Sequence, residues 1–118
     1  METNTMEIRV IESSDGLRRL ALSGRLDLAG TEAIETRFAA LTAGARQTVI
    51  VDLREVTFLA SLGMRMLGSS ARTLVRSGAR LVLLGPQPAV RLALESAGLT
   101  SLLPIAGDDG EAVALATS

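Results

Sequence analysis

Along this chain the spacing of apolar residues switches repeatedly between a period of two and a helical period. Met6, Ile8 and Val10 alternate with Glu7 and Arg9, which predicts a half-buried strand over 6–11. Ser13-Ser-Asp-Gly16 is a turn signal, and Leu17 to Ser23 alternates again with Leu20 and Leu22 inward, so the two runs are expected to pair as an antiparallel hairpin. Ile34, Phe38 and Leu41 then recur at i, i+4 and i+7, predicting a helix from Gly30 to Ala43, with Glu32 and Glu35 in its first turns and Gly44 as its stop. Thr48 to Leu53 is short, apolar and β-branched, as expected of a central strand covered on both faces. A helix follows over 62–76, stopped by Gly78, with Gly63, Leu67, Ala71, Leu74 and Val75 inward and Arg65, Ser69, Arg72 and Arg76 outward. Arg80 to Leu84 is another buried strand. Gly85-Pro-Gln-Pro88 breaks it and starts a helix with Val90, Leu94 and Ala97 inward, ended by Gly98. A short strand over 102–105, a loop over 107–110 and a weak helix over 111–116 complete the series.

Strands alternating with helices in this order predict a single α/β domain over 1–118, with its ordered core at about 6–116. The expected architecture is a mostly parallel central sheet of about five strands, with an antiparallel N-terminal strand and about four flanking helices. There is no internal repeat and no low-complexity tract.

Composition narrows the function. Hydrophobic residues make up 47% of the chain but only Phe38 and Phe58 are aromatic, so the core has to be aliphatic. Twelve Arg, no Lys and thirteen acidic residues leave a net charge of −1, with the arginines scattered, which argues against nucleic acid as a partner. Cysteine and histidine are both absent. No thiolate, no His-containing triad and no His or Cys metal site can be built, so no catalytic residue, metal or cofactor is expected. The first residues show no basic region followed by an apolar run, and no segment approaches the roughly 20 apolar residues of a membrane span. A cytoplasmic monomer is the expectation.

Three constellations invite chemistry. Gly63 to Ser70 imitates the glycine spacing of a phosphate-binding loop, but it lies within a helix and lacks the Lys, and no G-x-G-x-x-G follows a strand. Asp27 and Asp52 form a conceivable carboxylate pair. Against that, Asp52 reads as a solvent-facing strand-end residue, and Asp27 as a cap or turn residue. The third is Ser61, at the start of a helix after a short connection from a central strand, at the carboxyl end where open α/β sheets place their sites. It reads either as an N-cap, worth about 1 kcal/mol, or as a hydroxyl placed to carry a phosphate. Helical spacing groups it with Met64, Arg65 and Gly68 on one side, where an outward Met beside a small residue suits docking. Met66 is assigned to the core.

Phe58-Leu-Ala-Ser61-Leu-Gly63, preceded by Val51-Asp-Leu53 and Gly24-Arg-Leu-Asp27, resembles the STAS family of bacterial anti-sigma factor antagonists. Gly78-Ala-Arg-Leu-Val-Leu-Leu-Gly85 and Val90-Arg-Leu-Ala-Leu-Glu-Ser-Ala-Gly-Leu99 extend the resemblance over essentially the whole chain. It implies regulation of transcription by partner switching. The unphosphorylated protein binds a serine-kinase anti-sigma factor, phosphorylation of a serine ends the binding, and a PP2C-type phosphatase restores it. Carried onto this chain, the phosphoacceptor in the family pattern Asp-Ser-x-Gly is Ser61, its glycine is Gly63, and the nearby acid is Asp27. Ala60, Ser61, Leu62, Gly63, Met64, Arg65 and Gly68, with Asp27, are the implied partner-binding set. Ala60 stands where the family has Asp, which keeps open a constitutive STAS scaffold, in a signalling assembly or a lipid-transport complex. A small nucleotide-binding or hydrolytic enzyme is the reading the composition disfavours most.

Overall fold

A computed structural model describes residues 6–11, 15–44 and 47–118. Five strands and four helices follow the order β1 (Glu7–Ile11), β2 (Arg18–Leu26), α1 (Leu28–Ala43), β3 (Val49–Leu59), α2 (Ser61–Arg76), β4 (Leu81–Leu84), α3 (Pro88–Ser96), β5 (Ile105–Ala106) and α4 (Asp109–Thr117). The strands lie side by side in chain order. β1 is antiparallel to β2, and every other neighbouring pair is parallel. The predicted hairpin is therefore present, although Ser13 and Ser14 of its turn lie outside the described residues.

Alternation along the strands sorts the core into two layers. Leu20, Leu22, Val49, Val51, Leu53, Leu81 and Leu83 point to one face, where they meet Ile34 and Phe38 of α1, Leu67, Ala71 and Leu74 of α2, and Val90 and Leu94 of α3. Ile50, Val82, Leu84 and Ala106 point to the other, where Ala112 of α4 covers them. That second face is only partly covered. Beyond α4 it presents Glu7, Arg9, Ala21, Ser23, Asp52 and Glu55 along a polar trough.

Several boundaries differ from expectation, the end of β3 most of all. β3 does not stop at Leu53 but continues to Leu59. Its pairing with β2 contains two irregularities, after Ala21 and after Gly24, at each of which β3 spends one residue more than β2. Each extra residue slips the side-chain phase. Burial therefore runs Val49, Val51, Leu53, then Val56 and Leu59, and the two-residue alternation that marks a strand is lost midway. β2 also runs on past Ser23 to Leu26, and α1 begins at Leu28, so Glu32 and Glu35 fall beyond its first turn. Val75, expected inward, is 54% exposed in the last turn of α2, and Ala97, also expected inward, is exposed just past the end of α3. The last strand is a two-residue pairing of Ile105 and Ala106 with β4, not 102–105.

Candidate functional site

One residue, Ala60, connects β3 to α2. Its N–H donates to the Leu26 carbonyl at the end of β2, and its own carbonyl accepts from Met64 N–H, both at 3.0 Å. With φ −97° and ψ 174° Ala60 is the extended residue that caps α2, and its methyl group supplies no side-chain cap. Because β3 runs to Leu59, only one position is left for a non-helical residue. Ser61 is consequently the first helical residue and not the N-cap. Its side chain is exposed, and its hydroxyl makes no hydrogen bond among the described residues. The capping explanation for a serine at this point is removed.

The junction is tight because Gly63 is buried against the end of β2. A Cβ built there would come within 2.9 Å of Leu26 Cβ and Leu59 Cδ1, and 3.1 Å of the Leu26 carbonyl. Asp27 follows Leu26 directly and caps α1, its Oδ1 accepting from Gly30 N–H at 2.8 Å. That backbone hydrogen bond holds its carboxyl below the usual value, aided by Arg25 at 3.4 Å and against a partial desolvation. Arg25 in turn lies over the exposed ring of Phe58, 4.5 Å from its centroid. Glycine at 30 is required by the close passage of α1 over the Arg25 carbonyl.

Ser61, Met64, Arg65 and Gly68 do share one groove, of about 340 Å³. Arg72 and, from the turn after α3, Ala97 and Leu99 complete its walls. Met64 is half-buried against the core, and Gly68 is buried beneath the groove, with Arg72 above it. Leu62 points elsewhere, into the cleft between α1 and α2 with Glu35, Ala39, Met66, Ser69 and Ser70. Arg65 borders that cleft as well. Asp27 does not line the groove; it lies beside Leu26, whose carbonyl holds Ala60. Helix α2 carries three arginines and no acid. Arg65 and Arg72 are exposed, and neither has an ion-pair partner among the described residues. Residues 97–99 escaped the sequence reading because no periodicity links them to α2. Arg72 was readable, seven residues beyond Arg65 on the same face.

The carboxylate pair dissolves. Asp52 is not at a strand end: it lies within β3, half-buried on the second sheet face, ion-paired to Arg54 at 2.8 Å. Burial pushes its carboxyl up, but the hydrogen bonds and charge of Arg54 outweigh that and leave it lowered. Asp27 and Asp52 are thus separately anchored and ionised at neutral pH, with no proton to share. Among the described residues no cluster of three or more His, Cys, Asp or Glu could hold a metal ion, and no helix is long and apolar enough to cross a membrane.

Known proteins carry the same fold. A structure of an anti-sigma factor antagonist from Mycobacterium paratuberculosis superposes with a TM-score of 0.85 at 23% identity, covering 99% of this chain and 98% of that one. The Bacillus cell fate determinant SpoIIAA in its phosphorylated form gives a TM-score of 0.67 at 24% identity, covering 92% and 98%. In sequence, BtrV of Bordetella bronchiseptica, a protein named for anti-sigma factor antagonism, is 29% identical over 104 residues, which is 88% of this chain and 90% of that protein. The family model described as the Mlab STAS domain matches residues 11–104. With that match spanning most of its length, and with a five-stranded sheet whose third strand runs into α2 through a single residue, the chain belongs to the STAS-domain family.

Proposed function

We propose that this protein is an anti-sigma factor antagonist that works by partner switching. In this reading the unphosphorylated form docks a serine-kinase anti-sigma factor through Ser61, Met64, Arg65 and Gly68, with Asp27, Ala60, Leu62 and Gly63 shaping the surface. Transfer of the ATP γ-phosphoryl group to Ser61 Oγ ends docking, and a PP2C-type phosphatase resets it. The observation that carries the proposal is the Ser61 hydroxyl. It is exposed, it makes no hydrogen bond within the described fold, and it opens onto a groove large enough for partner side chains. A phosphate there adds about −1.5 to −2 charges in the middle of the contact surface. A penalty of about 3 kcal/mol would weaken docking roughly a hundredfold, which is enough for a switch.

The test measures binding to a kinase-type anti-sigma factor in a pull-down. Ser61→Ala is expected to bind it at least as well as wild type and to gain no phosphate with ATP, while Ser61→Asp binds about a hundredfold more weakly. Equal binding by the two variants would refute switching. One observation favours a second reading, a constitutive docking module: the residue before Ser61 is Ala60, which brings neither a carboxylate nor a side-chain cap to the junction. Intact-mass measurement after incubation with kinase and ATP separates the two, since only the switch gains a phosphate adduct.

A further inference from the structure

We propose that Arg65 is the built-in receiver of a phosphate on Ser61, so that phosphorylation withdraws from the groove a positive charge that a partner would otherwise meet. The inference rests on Ser61 being the phosphoacceptor and adds how its charge is read out. Arg65 lies four residues beyond Ser61 on α2 and borders the same groove. An anion one turn N-terminal to a cation is the favourable arrangement for a helical ion pair. Arg65 is exposed, and no ion pair occupies it among the described residues. Glu35 is the one carboxylate that borders a cleft with it, on the α1 side, and the two are not paired. The groove itself contains no acid, only Arg65 and Arg72 around Ser61.

Distance decides which arginine responds. At about 1.5 Å of rise per residue, Arg65 sits roughly 6 Å along the axis from Ser61, whereas the Arg72 guanidinium reaches back only to the level of Gly68, roughly 10 Å away and about one Debye length in 0.1 M salt. A phosphate on Ser61 is therefore paired by Arg65 and feels Arg72 more weakly, through screening solvent. Arg65 acts here as a positioning residue. Held by it, the phosphate lies along the helix and cancels charge where docking begins.

Phosphoserine incorporated at position 61 during translation tests this without any kinase. Phosphorus NMR follows the second ionisation of the phosphate, near pH 6 when unperturbed. The midpoint is expected lower in the otherwise wild-type protein than in Arg65→Gln by roughly 0.15 to 0.4 of a pH unit. Arg65→Lys should retain most of that difference, and Arg72→Gln should move the midpoint by clearly less than Arg65→Gln does. Identical midpoints for wild type and Arg65→Gln, or an equal response to Arg72→Gln, would overturn the assignment. Either outcome leaves partner switching to be judged by the Ser61 variants, so the two failures are distinguishable.

Discussion

Two glycines five residues apart on α2 should respond to alanine with opposite signs. At Gly68 an added Cβ would lie 3.6 Å from Arg72 Nη1 and 3.9 Å from Leu102 Cδ2, which is ordinary contact. Gly68→Ala therefore collects the helix-propensity gain, about 1 kcal/mol. The melting temperature should rise by about 4 °C. At Gly63 the same propensity gain meets Leu26 Cβ and Leu59 Cδ1 at 2.9 Å and the Leu26 carbonyl at 3.1 Å. Leu59 can swing away, but Leu26 offers its Cβ and backbone, which no rotamer moves. Overpacking costs about 1–3 kcal/mol. Lifting α2 off β2 also stretches the Ala60 N–H to Leu26 carbonyl bond, for about 1 kcal/mol more. Net destabilisation of about 1–3 kcal/mol is expected for Gly63→Ala after the propensity gain is subtracted. Guanidinium unfolding with an unchanged slope reads both variants. Equal or greater stability for Gly63→Ala than for wild type would show that α2 does not begin flush against β2.

Thr31, fully buried in α1, has the one buried side-chain oxygen without a hydrogen-bond partner among the described residues, so Thr31→Val should stabilise the fold by about 1–2 kcal/mol in the same assay; an unchanged midpoint would mean that the hydroxyl is satisfied. Asp52 has a lowered carboxyl pKa, so its pairing with Arg54 favours the fold above the usual carboxylate value near 3.9 and is lost as pH falls through the lower folded value. The stability difference between wild type and Asp52→Asn is thus expected to be largest near neutrality and to shrink below about pH 4; a pH-independent difference would contradict the ion pair.

Much of this architecture was readable because local preference and burial agree. Met6 and Ile8 at the start of the chain, the start of β2, the Ile34–Phe38–Leu41 stripe of α1 and the apolar block at Val49–Val51 each obey a simple period, whereas Val10, expected inward with Ile8, is exposed towards the free edge of β1. The second half of β3 was not readable, because each irregularity in its pairing shifts the inward residue by one, and Leu53, Val56 and Leu59 then mimic a spacing of three. The same shift concealed how little chain separates β3 from α2. Ser61 could be singled out from sequence, but its departure from the capping position follows from where β3 ends. Two of the seven residues that line the groove, Ala97 and Leu99, reach α2 only through tertiary folding.

A hydroxyl in the first turn of a helix, one residue from the end of a central strand, cannot be drawn out and threaded through an enzyme's cleft as an extended substrate. To reach an enzyme in that form, the first turns of α2 would have to unwind and strip Gly63, Met66 and Leu67 from their buried positions. Any enzyme that modifies Ser61 must instead come to the intact surface. A free peptide spanning 56–66 should then be a poor substitute for the whole domain, and unfolding the domain should abolish modification rather than promote it.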